Sequence, residues 1–294
     1  MTLLSQGLVT PLEPRGRSRA HNAAGPAPAQ HGFFRSALCR IEAAVASSCG
    51  SQHATNEDAH TSLDDDAPPF IVADGVGGGA LAALASTRLV AHLQAKLAGG
   101  RLDAPRIERA TLEADRAIAA EIAQLTDAPG AATVALCAPA NLFGTRWIVA
   151  WVGDCRIYRI ALRAGTRIEQ LGRDDTFRHL GEAPPPGGGL DDPARMVGNG
   201  ATTGANVAAH DLGSGDLLAL CSDGVHRHLS DDDWTRIVGR PIPLPARCDA
   251  LTATARAHGS TDDATVLLLQ CTRIALPRLG GNAQGHAGDE GDPR

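Results

Sequence analysis

Aromatic side chains are scarce in this chain: three Trp, one Tyr and five Phe make up 3% of its 294 residues. A surface that stacks nucleic-acid bases needs several such rings, so a stacking platform is excluded as a reading. Positive charge is not in excess either. Lys and Arg number 27 against 33 Asp and Glu, and the formal net charge of −6 argues against general affinity for a polyanion. No run approaches the roughly 18 consecutive apolar residues of a membrane-spanning helix. Near the start, Pro11, Pro14, Arg15, Arg17 and Arg19 interrupt any apolar stretch, so neither a secretory leader nor a membrane anchor is expected. Cysteines 39, 49, 137, 155, 221, 248 and 271 form no CxxC and no Cys/His zinc spacing. Their odd count disfavours a disulfide framework, and a reducing cytoplasm is the expected location.

The chain is 43% hydrophobic, enough for one large domain or two small ones. Residues 1–36 and 275–294 are rich in small residues and Pro or Gly with little periodicity, and are expected to be a disordered extension and a flexible tail. The folded body is expected over 37–274. Strands are expected at Ile41–Ser47, Pro69–Ala73, Thr133–Cys137, Trp147–Val152, Arg156–Ile160, Leu217–Cys221 and Ala264–Cys271. Leu81, Ala85, Leu89, Leu93 and Leu97 mark one amphipathic helix, and Ile107 to Leu125 a second that starts at Asp103. Two more helices are expected at Asp231–Val238 and Ala246–Ala257. The segment Leu180–Asn199, with three prolines followed by three glycines, is long enough to act as a mobile flap. Helix pairs set between strand runs with hairpin-like spacing suggest antiparallel sheets covered by helices: an α+β sandwich in αββα layers.

Five short acidic motifs punctuate this order. They are Asn56-Glu57-Asp58, Asp74-Gly75-Val76-Gly77-Gly78, Gly153-Asp154-Cys155-Arg156, Ser222-Asp223-Gly224 and Ser260-Thr261-Asp262-Asp263. Each sets carboxylates beside small residues, most of them after an apolar run. Strand ends that deliver carboxylates to one spot suit hard cations such as Mg²⁺ or Mn²⁺. Taken singly, an Asp-Gly pair is ordinary turn chemistry, and a β-turn explains Asp154 equally well.

In order and context, the motifs resemble those of the metal-dependent serine/threonine protein phosphatases, the PPM or type 2C family, in the compact bacterial form. The resemblance covers roughly Ile41 to Leu269. It implies an αββα fold with metal ions at one end of the sheets. It also implies Mg²⁺- or Mn²⁺-dependent hydrolysis of phosphoserine and phosphothreonine in proteins by a metal-activated water. Asp74 would bridge two ions, with the Gly75 carbonyl as a further ligand. Asp223 and Asp262 would hold the first ion, and Asp58 or Glu57 would contribute to the second, directly or through water. Asp154 would join Asp223 at a weaker third metal position. Asp58, Asp74, Asp223 and Asp262 are thus the expected catalytic set. The partners implied are a phosphorylated protein and a serine/threonine kinase or its targets. Neither nucleic acid nor membrane is expected as a partner, and a monomer is expected.

Two departures stand out. His53 takes the position of a phosphate-gripping arginine, which predicts weaker phosphate binding or an acidic optimum unless it is an ordinary surface histidine. Val76 replaces a residue that could donate a proton to the leaving group, so water or another group must do so. Two further functions fit less well: a phosphatase-like regulator that binds phosphoproteins with little turnover, and a small-molecule phosphomonoesterase. Asp64-Asp65-Asp66 reads as a solvated loop, Asp231-Asp232-Asp233 and Asp174-Asp175 as helix starts, Asp263 as a neighbouring polar group, and His226 and His228 as surface residues.

Overall fold

The computed structural model describes residues 28–274 except 37, 65–67, 101, 163–164, 201 and 214. The expected tail, most of the expected extension and Asp65-Asp66 therefore lie outside the described residues. In chain order the strands are β1 (Gln30–Ser36), β2 (Cys39–Ser48), β3 (Ala59–His60), β4 (Phe70–Val76), β5 (Ala131–Pro139), β6 (Arg146–Val152), β7 (Arg156–Ala161), β8 (Arg167–Gln170), β9 (Asn206–Asp211), β10 (Leu217–Cys221) and β11 (Ala264–Arg273). The helices are α1 (Ala80–Leu97), α2 (Ala104–Leu125), α3 (Phe177–Leu180), α4 (Asp223–His226), α5 (Asp231–Val238) and α6 (Leu244–Ala257).

Two antiparallel sheets result, ordered β1-β2-β11-β10-β7-β8 and β3-β4-β5-β6-β9. Side-chain alternation builds the layers. In β10, Leu218 and Leu220 enter the core between the sheets, while Leu217, Ala219 and Cys221 face α5 and α6. In β4, Phe70 and Val72 enter the same central core, while Ile71 and Ala73 pack under α1 and α2. Three apolar layers thus stack as helix, sheet, sheet, helix. At Asp103 the expected start of α2 carries a side-chain cap, its carboxylate accepting the N–H of Arg106 at 3.0 Å.

Part of the expected extension is structured. Gln30–Ser36 forms β1 and pairs with β2 along its whole length, from Gln30 opposite Val45 to Ser36 opposite Cys39. The link at Gly153-Asp154 joins no hairpin: β6 and β7 belong to different sheets, so the chain crosses the sandwich there. Among the described residues no helix is long and apolar enough to cross a membrane.

Candidate metal centre

Strand register brings the acidic motifs to one end of the sandwich. The β3–β4 pairing sets Ala59 opposite Ala73, so its next rung sets Asp58 level with Asp74. The β7–β10 pairing sets Arg156 opposite Cys221, and two rungs on, Asp154 is level with Asp223. Asp74 continues the parity of Phe70 and Val72, which points it between the sheets. There its carboxyl feels the fields of Asp58, Asp223, Asp154 and Asp262. Five carboxylates from all five motifs converge.

Glycine makes the convergence sterically feasible. A Cβ on Gly224 would collide with the backbone carbonyl of Asp263, so only glycine lets the start of α4 pass so close to the loop that carries Asp262. Gly75 is equally confined, against the backbone of Ala82 and Glu57.

Such crowding is costly without a counter-charge. Burial, reinforced by Asp58 and its neighbours, drives the Asp74 carboxyl well above the usual range. Burial likewise lifts Asp58 to about 8, against the pull of hydrogen bonds from Thr265 and Ser222. Asp154 rises to about 7, from burial and then the nearby Asp223 charge. Asp223 is also raised by burial, with Arg227 opposing. Two oxygens stand out further: Asp58 Oδ1 and Asp223 Oδ1 are buried and have no hydrogen-bond partner. Buried carboxylate oxygens without donors are what a bound cation would satisfy.

The polar frame around the centre is otherwise well connected. Ser222 Oγ donates to Asp58 Oδ2 at 2.7 Å and accepts the N–H of Thr265 at 3.0 Å. Asn56 accepts the Asp58 N–H through Oδ1 at 3.0 Å and donates to Ser47 Oγ at 2.8 Å. Glu57 is buried, with Oε1 accepting the Gly79 N–H at 2.5 Å and its backbone carbonyl accepting Ser86 Oγ–H at 2.5 Å. Its carboxylate therefore braces the glycine turn after β4.

Asp262 and Asp263 differ sharply. The Asp262 side chain is 49% exposed at the rim, 3.8 Å from His53 Nδ1. Asp263 is buried and accepts N–H groups of Gly50 at 2.6 Å and Glu57 at 2.7 Å, together with His53 Nδ1–H at 2.9 Å. His53, with Glu57 also at 3.9 Å, is raised above the ordinary histidine range, chiefly by its hydrogen bond to Asp263. Among the described residues, only His53, Asp262 and Asp263 gather ligand atoms as a threesome within 4.8 Å of one another. That closeness is an ion pair already satisfied internally.

Three polar groups differ from their expected settings. His226 is buried, with Nε2 at 2.9 Å from the Asp154 carbonyl. Asp174 and Asp175 are buried and do not cap a helix; Thr176 does. Asp174 receives Arg156 Nη2–H at 2.7 Å, and Asp175 receives the Gly153 N–H at 3.1 Å and Asn206 Nδ2–H at 2.9 Å. Nothing local in the sequence distinguishes these carboxylates from surface ones. The Asp175 contacts fix the crossing that carries Asp154. The Leu180–Asn199 segment is pinned beside it, with the Ala194 N–H on the Asp175 carbonyl at 2.7 Å and Val197 bridged to Ala132.

The family model for protein phosphatase 2C matches residues 46–258. None of the curated proteins matches the chain. Among solved structures, the catalytic domain of the serine/threonine protein phosphatase PstP in complex with two manganese ions is 25% identical, with a TM-score of 0.66 over 79% of this chain and 99% of that one. The PPM Ser-Thr phosphatase MsPP from Mycobacterium smegmatis, in complex with cacodylate, is 26% identical, with a TM-score of 0.64 over 78% of this chain and 97% of that one. The serine/threonine phosphatase PstP/Ppp of Mycobacterium tuberculosis is 25% identical, with a TM-score of 0.65 over 78% and 98%.

Proposed function

Because the chain belongs to the protein phosphatase 2C family, we propose that it hydrolyses phosphoserine and phosphothreonine in proteins and needs Mg²⁺ or Mn²⁺ to do so. The observation that carries this reading is the convergence of Asp58, Asp74, Asp154, Asp223 and Asp262, with two buried oxygens lacking donors. The donor set is all oxygen, which suits these hard cations.

Asp74 lies at the meeting point and would bridge two ions, with the Gly75 carbonyl beside it. Asp223 and Asp262 would complete one ion's shell, and Asp58 the other's, with Glu57 acting through a shared water. Two bound ions would offset phosphate charge and lower the pKa of a bound water enough to supply hydroxide near neutral pH. The chain's own residues do the rest. Ser222 and Asn56 hold Asp58 in place, and Glu57 fixes the glycine turn. His53, raised above the ordinary histidine range chiefly by its hydrogen bond to Asp263, stands at the rim, where a phosphate would enter. Val76 cannot protonate the departing alkoxide, which leaves that step to water or another residue. A protein substrate is favoured over a small phosphoester by the relatives' descriptions as serine/threonine phosphatases.

The test is release of phosphate from a phosphothreonine peptide by metal-stripped protein, with and without added manganese. Turnover should require the metal and vanish in Asp74→Asn and Asp223→Asn. Equal turnover in a chelator would end the metal reading. Binding of the phosphopeptide without turnover would favour the regulator instead.

A further inference from the structure

Arg227 lies four residues beyond Asp223, its N–H on the Asp223 carbonyl at 3.0 Å. Its guanidinium turns back into the carboxylate cluster. Nη2 donates to Asp154 Oδ2 at 2.8 Å and to the Asp191 carbonyl at 3.0 Å, and Nε lies 3.3 Å from Asp223 Oδ2. Asp154 is buried, and Arg227 is its only ion-pair partner among the described residues.

We propose that Arg227 is a built-in cation that takes the place of a third metal ion between Asp154 and Asp223, so that the centre holds two ions. This inference rests on the metal reading above. The resemblance implied a third ion held by these two aspartates, and the residues present do not fit one. One oxygen of each carboxylate already faces a cation: Asp154 Oδ2 accepts a guanidinium N–H, and Asp223 Oδ2 lies 3.3 Å from Arg227 Nε. The Asp223 carboxylate is divided: Oδ2 lies by Arg227, and Oδ1 is buried with no hydrogen-bond partner. Charge points the same way. The five carboxylates and the buried Glu57 carry six negative charges, of which two dications and one guanidinium balance five. A third dication would leave excess positive charge in a mostly buried space, beside a group that cannot lose its proton. The Asp191 contact also ties the 180–199 segment to this end of the centre.

The experiment counts manganese bound per metal-stripped chain by isothermal titration calorimetry and elemental analysis. Wild type and Arg227→Lys should each bind two ions. Arg227→Ala should bind a third, weaker one, and Arg227→Ala combined with Asp154→Asn should return to two. Three ions in wild type would overturn this inference and leave the metal reading intact, as would only two in a folded Arg227→Ala. Fewer than two in wild type would overturn both. Anomalous diffraction from manganese in wild-type crystals needs no variant: a peak between Asp154 and Asp223 refutes the inference, and two peaks elsewhere support it.

Discussion

One carboxylate, that of Asp263, fastens the loop that carries His53 and Glu57, by accepting N–H groups from Gly50, Glu57 and His53. An amide in its place keeps the shape but offers a single acceptor oxygen and sets an NH₂ against backbone donors. Asp263→Asn should therefore lose about 1–3 kcal/mol of stability, read as a lower urea midpoint. Asp262→Asn, at the exposed rim, should stay within about 0.5 kcal/mol of wild type yet need more manganese for half-maximal turnover. Equal stability of the two variants would refute this division of labour. At His53, arginine would present a two-pronged donor to phosphate, so His53→Arg should lower KM for a phosphopeptide and leave kcat nearly unchanged. An unchanged KM at every pH would count against a phosphate contact at 53. The five acidic motifs were legible because each joins a carboxylate to a small residue beside an apolar run. The Asp263 hub was not: its partners lie more than 200 residues away. Asp174 and His226 read as ordinary polar positions because their partners, Arg156 18 residues away and the Asp154 carbonyl 72 residues away, reach them only in the folded chain.

Elements with strong local codes were legible nearly to the residue. Helix α5 has the bounds its sequence predicts, although the capping residue is Ser230, just ahead of the acidic run. Ser230 Oγ accepts the Asp233 N–H at 3.2 Å, and the Asp233 carboxylate accepts the Ser230 N–H at 3.1 Å. Ser230→Ala should cost about 1 kcal/mol, visible as a lower melting temperature with manganese binding unchanged. A melting temperature equal to wild type would mean the cap adds nothing measurable. Short or half-exposed strands were harder. β8 has one apolar residue, β9 has only Val207-Ala208-Ala209 between polar ends, and β1 sits in a stretch whose composition resembles a disordered extension. What makes β1 a strand is the β2 edge beside it, a tertiary fact. The β6–β7 link shows a related limit: both strands were legible, but which sheet each joins depends on partners that a local pattern does not name.

At the scale of the whole molecule, three apolar layers hold a charged end whose stability depends on what neutralises it. Without metal, that neutralisation falls to protons as well as Arg227. Asp58, raised to about 8, and Asp154, raised to about 7, bind protons in the folded state that the unfolded chain has already released at neutral pH. The sign follows from linkage: a carboxyl whose folded pKa is raised adds stability that is complete below the unfolded pKa and is lost as pH climbs through the folded one. From about pH 4, where the unfolded carboxyls release their protons, up to about 7 for Asp154 and about 8 for Asp58, the metal-free protein should therefore weaken by up to ~1.4 kcal/mol per pH unit for each such proton. Manganese reverses the trend, because it competes with those same protons for the carboxylates and gains as they leave. Thermal unfolding in a chelator and in saturating manganese, each at about pH 6 and pH 8, separates the two effects. The melting temperature in chelator should be lower at the higher pH, and the rise on adding manganese should be larger there. A manganese-induced rise of the same size at both pH values would show that the ion displaces no protons, and that the converging carboxylates are not its ligands.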